Sequence, residues 1–149
     1  MKIALVIAVV AVVVALAFSF RARRNQRVIG VSGHEYEIVN TSTDAKEADQ
    51  QVLDNMRSLG ADLTKETTVV FFLDLPTQSA AADAASQIYA LGSFTVEYRE
   101  GSGDWGWLCL ATKRMSLDGT AIFEHTDLFD GIAAEHGGEY NGWEAEVVK

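Results

Sequence analysis

Three groups of residues have types and spacings that invite a chemical reading, and each is undone by its surroundings. Gly101-Ser102-Gly103-Asp104-Trp105-Gly106 fits G-x-G-x-x-G letter for letter. The phosphate-binding version of that pattern leads from a strand into a helix whose N-terminus meets the pyrophosphate. Here the next residues read as another strand, so no nucleotide site is expected. His34, His125 and His136 are scattered, and none has metal-ligand spacing with the lone Cys109. Cys109 lies in an apolar run and reads as a small buried hydrophobe rather than a nucleophile. The carboxylates alternate with basic or polar residues, and no pair stands apart as general acid and base. No catalytic residue, metal ligand or cofactor is assigned, and the chain is expected not to be an enzyme.

Binding chemistry is the better prospect. Trp105-Gly106-Trp107-Leu108 is similar to the aromatic-Gly-aromatic-aliphatic centre of the RNP1 segment of RNA-recognition motifs, and Val70-Phe71-Phe72-Leu73-Asp74-Leu75 faintly resembles RNP2. The flanking chemistry argues against RNA. Gly103 stands where Lys or Arg should engage phosphate, Asp104 replaces glycine, and Leu110 replaces the last aromatic. An acidic surface also forfeits the electrostatic attraction that carries most nonspecific affinity. Trp105 and Trp107 are instead candidate anchors for a protein: two apart on one strand, they share a face, and a rim of acidic residues suits a basic partner.

These residues need elements to hold them. Asn40-Thr41-Ser42-Thr43-Asp44 supplies capping side chains, and Ala48, Val52, Met56 and Leu59 then recur at helical spacing up to Gly60. Thr67 to Leu75 is β-branched and aromatic and stops at Pro76, the only proline. An alanine-rich helix follows over Thr77 to Leu91, with Ala81, Ala84, Ala85, Ile88 and Leu91 on one stripe. Phe94 to Glu100 alternates, and the short Gly-Ser-Gly-Asp connection to Trp105 through Arg114 forces an antiparallel hairpin. Ile122, Phe129, Ile132, Ala133 and His136 keep helical spacing to Gly137-Gly138, and Tyr140 to Val148 forms the last strand. The order predicts an α+β fold: a ferredoxin-like β-α-β-β-α-β sandwich with an extra N-terminal helix, both interleaved helices on one face and the other face left for a partner.

The closing run Gly137-Gly138-Glu139-Tyr140-Asn141-Gly142-Trp143-Glu144 sets a double-glycine helix stop directly before a strand with two large aromatics. Tyr140 and Trp143 fall on opposite faces of an unbroken strand, and a one-residue bulge at Asn141-Gly142 would bring them to the same face. The segment resembles the Tyr-Asp-Gly-Trp signature of the bacterial regulator of ribonuclease E activity B family, with similarity from about Asp44 to Val148. It departs at Asn141, where that family usually has aspartate. The resemblance implies the same ferredoxin-like fold and a partner, ribonuclease E or a related degradosome protein, whose cleavage of RNA falls on binding. Tyr140, Asn141 and Trp143 join Trp105 and Trp107 as candidate partner-binding residues.

Charge and hydropathy divide the chain. Ile3 to Phe20 contains no charge, and as a helix it would span roughly 27 Å, close to the ~30 Å hydrocarbon core of a bilayer. Arg21, Arg23, Arg24 and Arg27 follow it while only Lys2 precedes it, which places the C-terminal side in the cytoplasm. Ala15-Leu16-Ala17 offers the rival reading of a cleaved signal peptide. All 21 acidic residues lie after Arg27, against seven of the 12 basic ones, a net of −14 for that part. Such a field opposes RNA and anionic lipid and favours a basic protein. The expected organisation is a transmembrane anchor with a basic flank over 1–27, a tether over 28–42 and the regulator domain over 43–149, in the bacterial inner membrane with oligomeric state left open. The alternatives are an envelope assembly or docking factor, and a membrane-tethered RNA-binding module.

Overall fold

The computed structural model describes residues 41–101 and 106–149. The elements are helix α1 (Thr41–Ser58), strand β1 (Thr67–Leu75), helix α2 (Gln78–Ala90), strands β2 (Thr95–Glu100) and β3 (Trp107–Met115), helix α3 (Ala121–Glu135) and strand β4 (Glu139–Ala145). The strands form one sheet in the order β2-β3-β1-β4, and every neighbouring pair is antiparallel. The described residues adopt the expected α+β class, with four antiparallel strands and three helices among them. Ile3–Phe20 and the arginines after it lie outside the described residues. Among the described helices none is long and apolar enough to cross a membrane.

Strand alternation decides where the core sits. Val69, Phe71, Leu73 and Leu75 of β1 are fully buried, whereas Thr68 is exposed and Val70, Phe72 and Asp74 are half-buried. Ala81, Ala84, Ala85 and Ile88 of α2 and Ile122, Phe129, Ile132 and Ala133 of α3 close over the first set. The small alanines let α2 approach β2 and β3 closely, while α3 covers β1 and β4. Thr77 caps α2, its hydroxyl accepting the Ala80 N–H at 3.1 Å, so the Pro76-Thr77 loop opens that helix as expected.

Several boundaries differ from the sequence expectation. Helix α1 is already under way at Thr41, so of the capping run only Asn40 precedes it. Its buried stripe is Asp49, Val52, Leu53 and Met56, and Leu59 lies past the helix end in solvent. Leu91 is likewise exposed beyond the last turn of α2. Both leucines continue a helical spacing, but a terminal residue leaves the packed face once the chain turns away.

Candidate partner-binding surface

Of the five candidate partner-binding residues, Trp107, Tyr140, Asn141 and Trp143 fall within the described chain. Tyr140 and Trp143 are both buried on the helix-covered face, opposite Leu73 and Phe71 of β1. That shared face requires the bulge foreseen at Asn141-Gly142. The register with β1 shifts there, and Gly142 takes φ +93°, a left-handed conformation open to glycine at little cost. Gly137, at φ +73°, stops α3 just ahead of β4. At Gly138 the backbone runs so close to β1 that a Cβ would strike the Asp74 carbonyl oxygen and the Leu75 side chain.

Trp143 does more than fill space. Its indole Nε1–H donates to Asp49 Oδ1 at 2.8 Å, and Thr126 Oγ1–H donates to Asp49 Oδ2 at 2.6 Å. One carboxylate therefore ties α1 to α3 and to the edge strand β4. Asp49 is only 8% exposed, and burial raises its pKa above 3.8, with the two donated bonds pulling back and Asp127 adding to the rise. Periodicity missed this residue because it counts a carboxylate as polar. The available signal was positional: Asp49 sits three and four residues before Val52 and Leu53, on the same helix face.

Asn141 is half-buried at the bulge and donates from Nδ2 to Asp74 Oδ2 at 2.9 Å. An aspartate in its place would set a second carboxylate against Asp74, so the departure at this position changes local charge as well as identity. Trp107 is half-buried opposite Leu75 and Glu100, its ring 6.3 Å from that of Tyr98. Trp105 lies outside the described residues, so its pairing with Trp107 does too.

The RNP-like match lands on the wrong face. Phe71 is buried under the helices, and Trp107 points to that same side. Bases stack on the uncovered face of an RNA-recognition sheet, and here that face carries Phe72, Leu108 and Leu110. Leu110 is buried between Phe72 and Glu97 in the strand register, while Glu144 pairs with Val70 and Glu139 with Asp74. The result is a short apolar strip framed by Glu97, Glu139 and Glu144, with Arg99 and Arg114 toward the β2 side.

Cys109, His125 and Lys113 serve packing. Burial pushes the Cys109 thiol up to about 12, which leaves no thiolate at neutral pH. His125 stacks on Phe71 at 5.4 Å, donates from Nδ1 to the Ala121 carbonyl at 2.6 Å, and turns Nε2 toward Lys113 Nζ at 3.5 Å. Lys113 in turn lies 5.1 Å over the Phe94 ring. Among the described residues no three His, Cys, Asp or Glu side chains gather as metal ligands.

The sheet with its one-sided helical layer defines a small α+β domain. Residues 46–145 match the family described as regulator of ribonuclease activity B, a span that runs from α1 to the end of β4. The chain belongs to that family, whose members act on ribonuclease activity as regulators. No individual curated protein matches it.

Proposed function

We propose that this chain is a membrane-anchored inhibitor of ribonuclease E-type RNA cleavage that acts by binding the nuclease or its scaffold region. The carrying observation is the family match over residues 46–145, which coincides with the folded α1-to-β4 unit. Acidity supports a protein partner over RNA, since the chain after Arg27 carries a net of −14 and a basic RNA-binding segment of a nuclease is its electrostatic complement. In this reading the domain is a ferredoxin-like sandwich. Its uncovered sheet face, with Phe72 and Leu108 inside the frame of Glu97, Glu139 and Glu144, meets the partner. Ile3–Phe20 holds it in the bacterial inner membrane with the domain in the cytoplasm, which raises its effective concentration near a membrane-associated nuclease.

The test adds the full chain in detergent, at rising concentration, to purified ribonuclease E and a fluorogenic RNA substrate, with an RNA-only binding control. Dose-dependent loss of cleavage without RNA retention is expected. Unchanged cleavage at saturating protein would overturn the partner. A reporter fused after Lys149 that is active only outside the cytoplasm would overturn the location.

A further inference from the structure

Strand β2 is one edge of the sheet, and five of its six residues are exposed. Among the described residues nothing pairs with its outer side. Its hydrogen-bonding phase follows from the hairpin: the Gly101 N–H donates to the Gly106 carbonyl at 2.9 Å, continuing the register in which Glu100 faces Trp107. Along an antiparallel strand the backbone groups of successive residues point alternately to the two sides. Thr95, Glu97 and Arg99 therefore turn their N–H and C=O groups to β3, and Val96, Tyr98 and Glu100 turn theirs outward.

From this we infer that β2 is the self-association edge of the protein, pairing antiparallel with β2 of a second copy about a two-fold axis through Tyr98. Phase and charge select that register together. Centring the pair on Tyr98 matches outward-facing residues with one another: Tyr98 with Tyr98 of the second copy, and Val96 with its Glu100. The intervening non-hydrogen-bonded positions then set Glu97 opposite the second copy's Arg99, and Arg99 opposite its Glu97. At those positions side chains approach most closely. Sliding one copy by two residues keeps the phase but puts Glu97 against Glu97 or Arg99 against Arg99. Only the Tyr98-centred pairing is self-complementary.

The flanking side chains agree. Tyr98 is 42% exposed although it lies on the helix-side face with Trp107, so an apolar surface sits at the dyad. On α2, Gln87 bonds Glu135 at the end of α3 and His136 just past it. Tyr89, two residues or roughly 200° further round, lies on the side of α2 turned away from α3 and is 72% exposed. With strands about 4.8 Å apart, helices lying over β2 and β3 in the two copies would sit roughly 10 Å apart, a normal helix packing distance. Pairing joins two four-stranded sheets into one of eight and covers this edge in both copies.

The experiment uses the full chain in detergent, with sedimentation equilibrium and oxidative cross-linking as readouts. Glu97→Arg or Arg99→Glu alone should raise the dimer dissociation constant about tenfold or more, because each acts twice across the dyad. The double exchange E97R/R99E should return it to within about threefold of the wild type. Tyr98→Cys should cross-link under mild oxidation, its Cα atoms falling about 5.5 Å apart, whereas Thr95→Cys and the wild type, with only buried Cys109, should not. A monomeric wild type, single reversals without effect, a double exchange that stays weak, or equal cross-linking at positions 95 and 98 would each overturn the pairing. Association through the N-terminal segment alone falls among these, since it is blind to the charges on β2.

Discussion

At one edge of the sheet, β4 carries a bulge, two buried aromatics and an indole bonded to the carboxylate of α1. At the other, β2 is unbulged along its length and mostly exposed, with alternating charge. An edge strand leaves unpaired N–H and C=O groups that another strand can use, and a bulge is one way to spoil that template. The β4 edge is thus committed to the fold of its own chain, where Trp143 recruits α1 through Asp49. The β2 edge contributes little to the core beyond Val96 and the preceding Phe94. The difference separates stability from association within one sheet.

Substitutions at the two edges should therefore differ in size and in readout. Trp143→Ala should have the largest effect, losing about 3–5 kcal/mol in chemical denaturation, because it opens a cavity opposite Phe71 and strips one donor from buried Asp49. A loss below about 1 kcal/mol would break the contrast. Gly138→Ala should cost about 1–3 kcal/mol, since its Cβ meets backbone of β1 that has little room to yield; thermal melts would read this directly.

Asp49→Asn sharpens the comparison through pH. An Asn there can still accept one of the two donated bonds, so its effect on stability should be within about 1 kcal/mol. The folded pKa of Asp49 lies above its ordinary 3.8, so the stability it contributes when protonated is fully present below that value and is lost as pH rises through the folded pKa. Unfolding followed from pH 3 upward should show this decline in the wild type and lack it in D49N; identical slopes would refute the assignment. Smallest should be Tyr98→Ala, within about 0.5 kcal/mol in folding stability, with its effect appearing in dimerisation instead.

Much of this architecture was readable in advance. β-Branched and aromatic residues over Thr67 to Leu75 identified β1, alanine spacing identified the buried face of α2, and Gly137 marked the end of α3. The three-residue spacing of Tyr140 and Trp143 posed the bulge as a question of faces, and Gly142 answered it. The anchoring network was harder to read. Asp49 and Trp143 are 94 residues apart and Asp49 and Thr126 are 77 apart, so no local pattern joins them, and a carboxylate interrupts an apolar stripe. The side of the sheet taken by Trp107 was also hidden, because strand pattern gives alternation without saying which set the helices will cover.

The sequence by itself determined the kinds of elements and their order, since periodicity, capping residues and glycine stops act over a few residues where chain connectivity already holds the groups together. It also set the acidic character of everything after Arg27 and placed Glu97 and Arg99 around Tyr98 on one strand. Tertiary structure alone decided that Trp143 serves the fold, that Asn141 answers Asp74 and that β2 is left as an edge. Those outcomes depend on which distant surfaces exclude water together, and burial is a property of the assembled layers rather than of any residue within them.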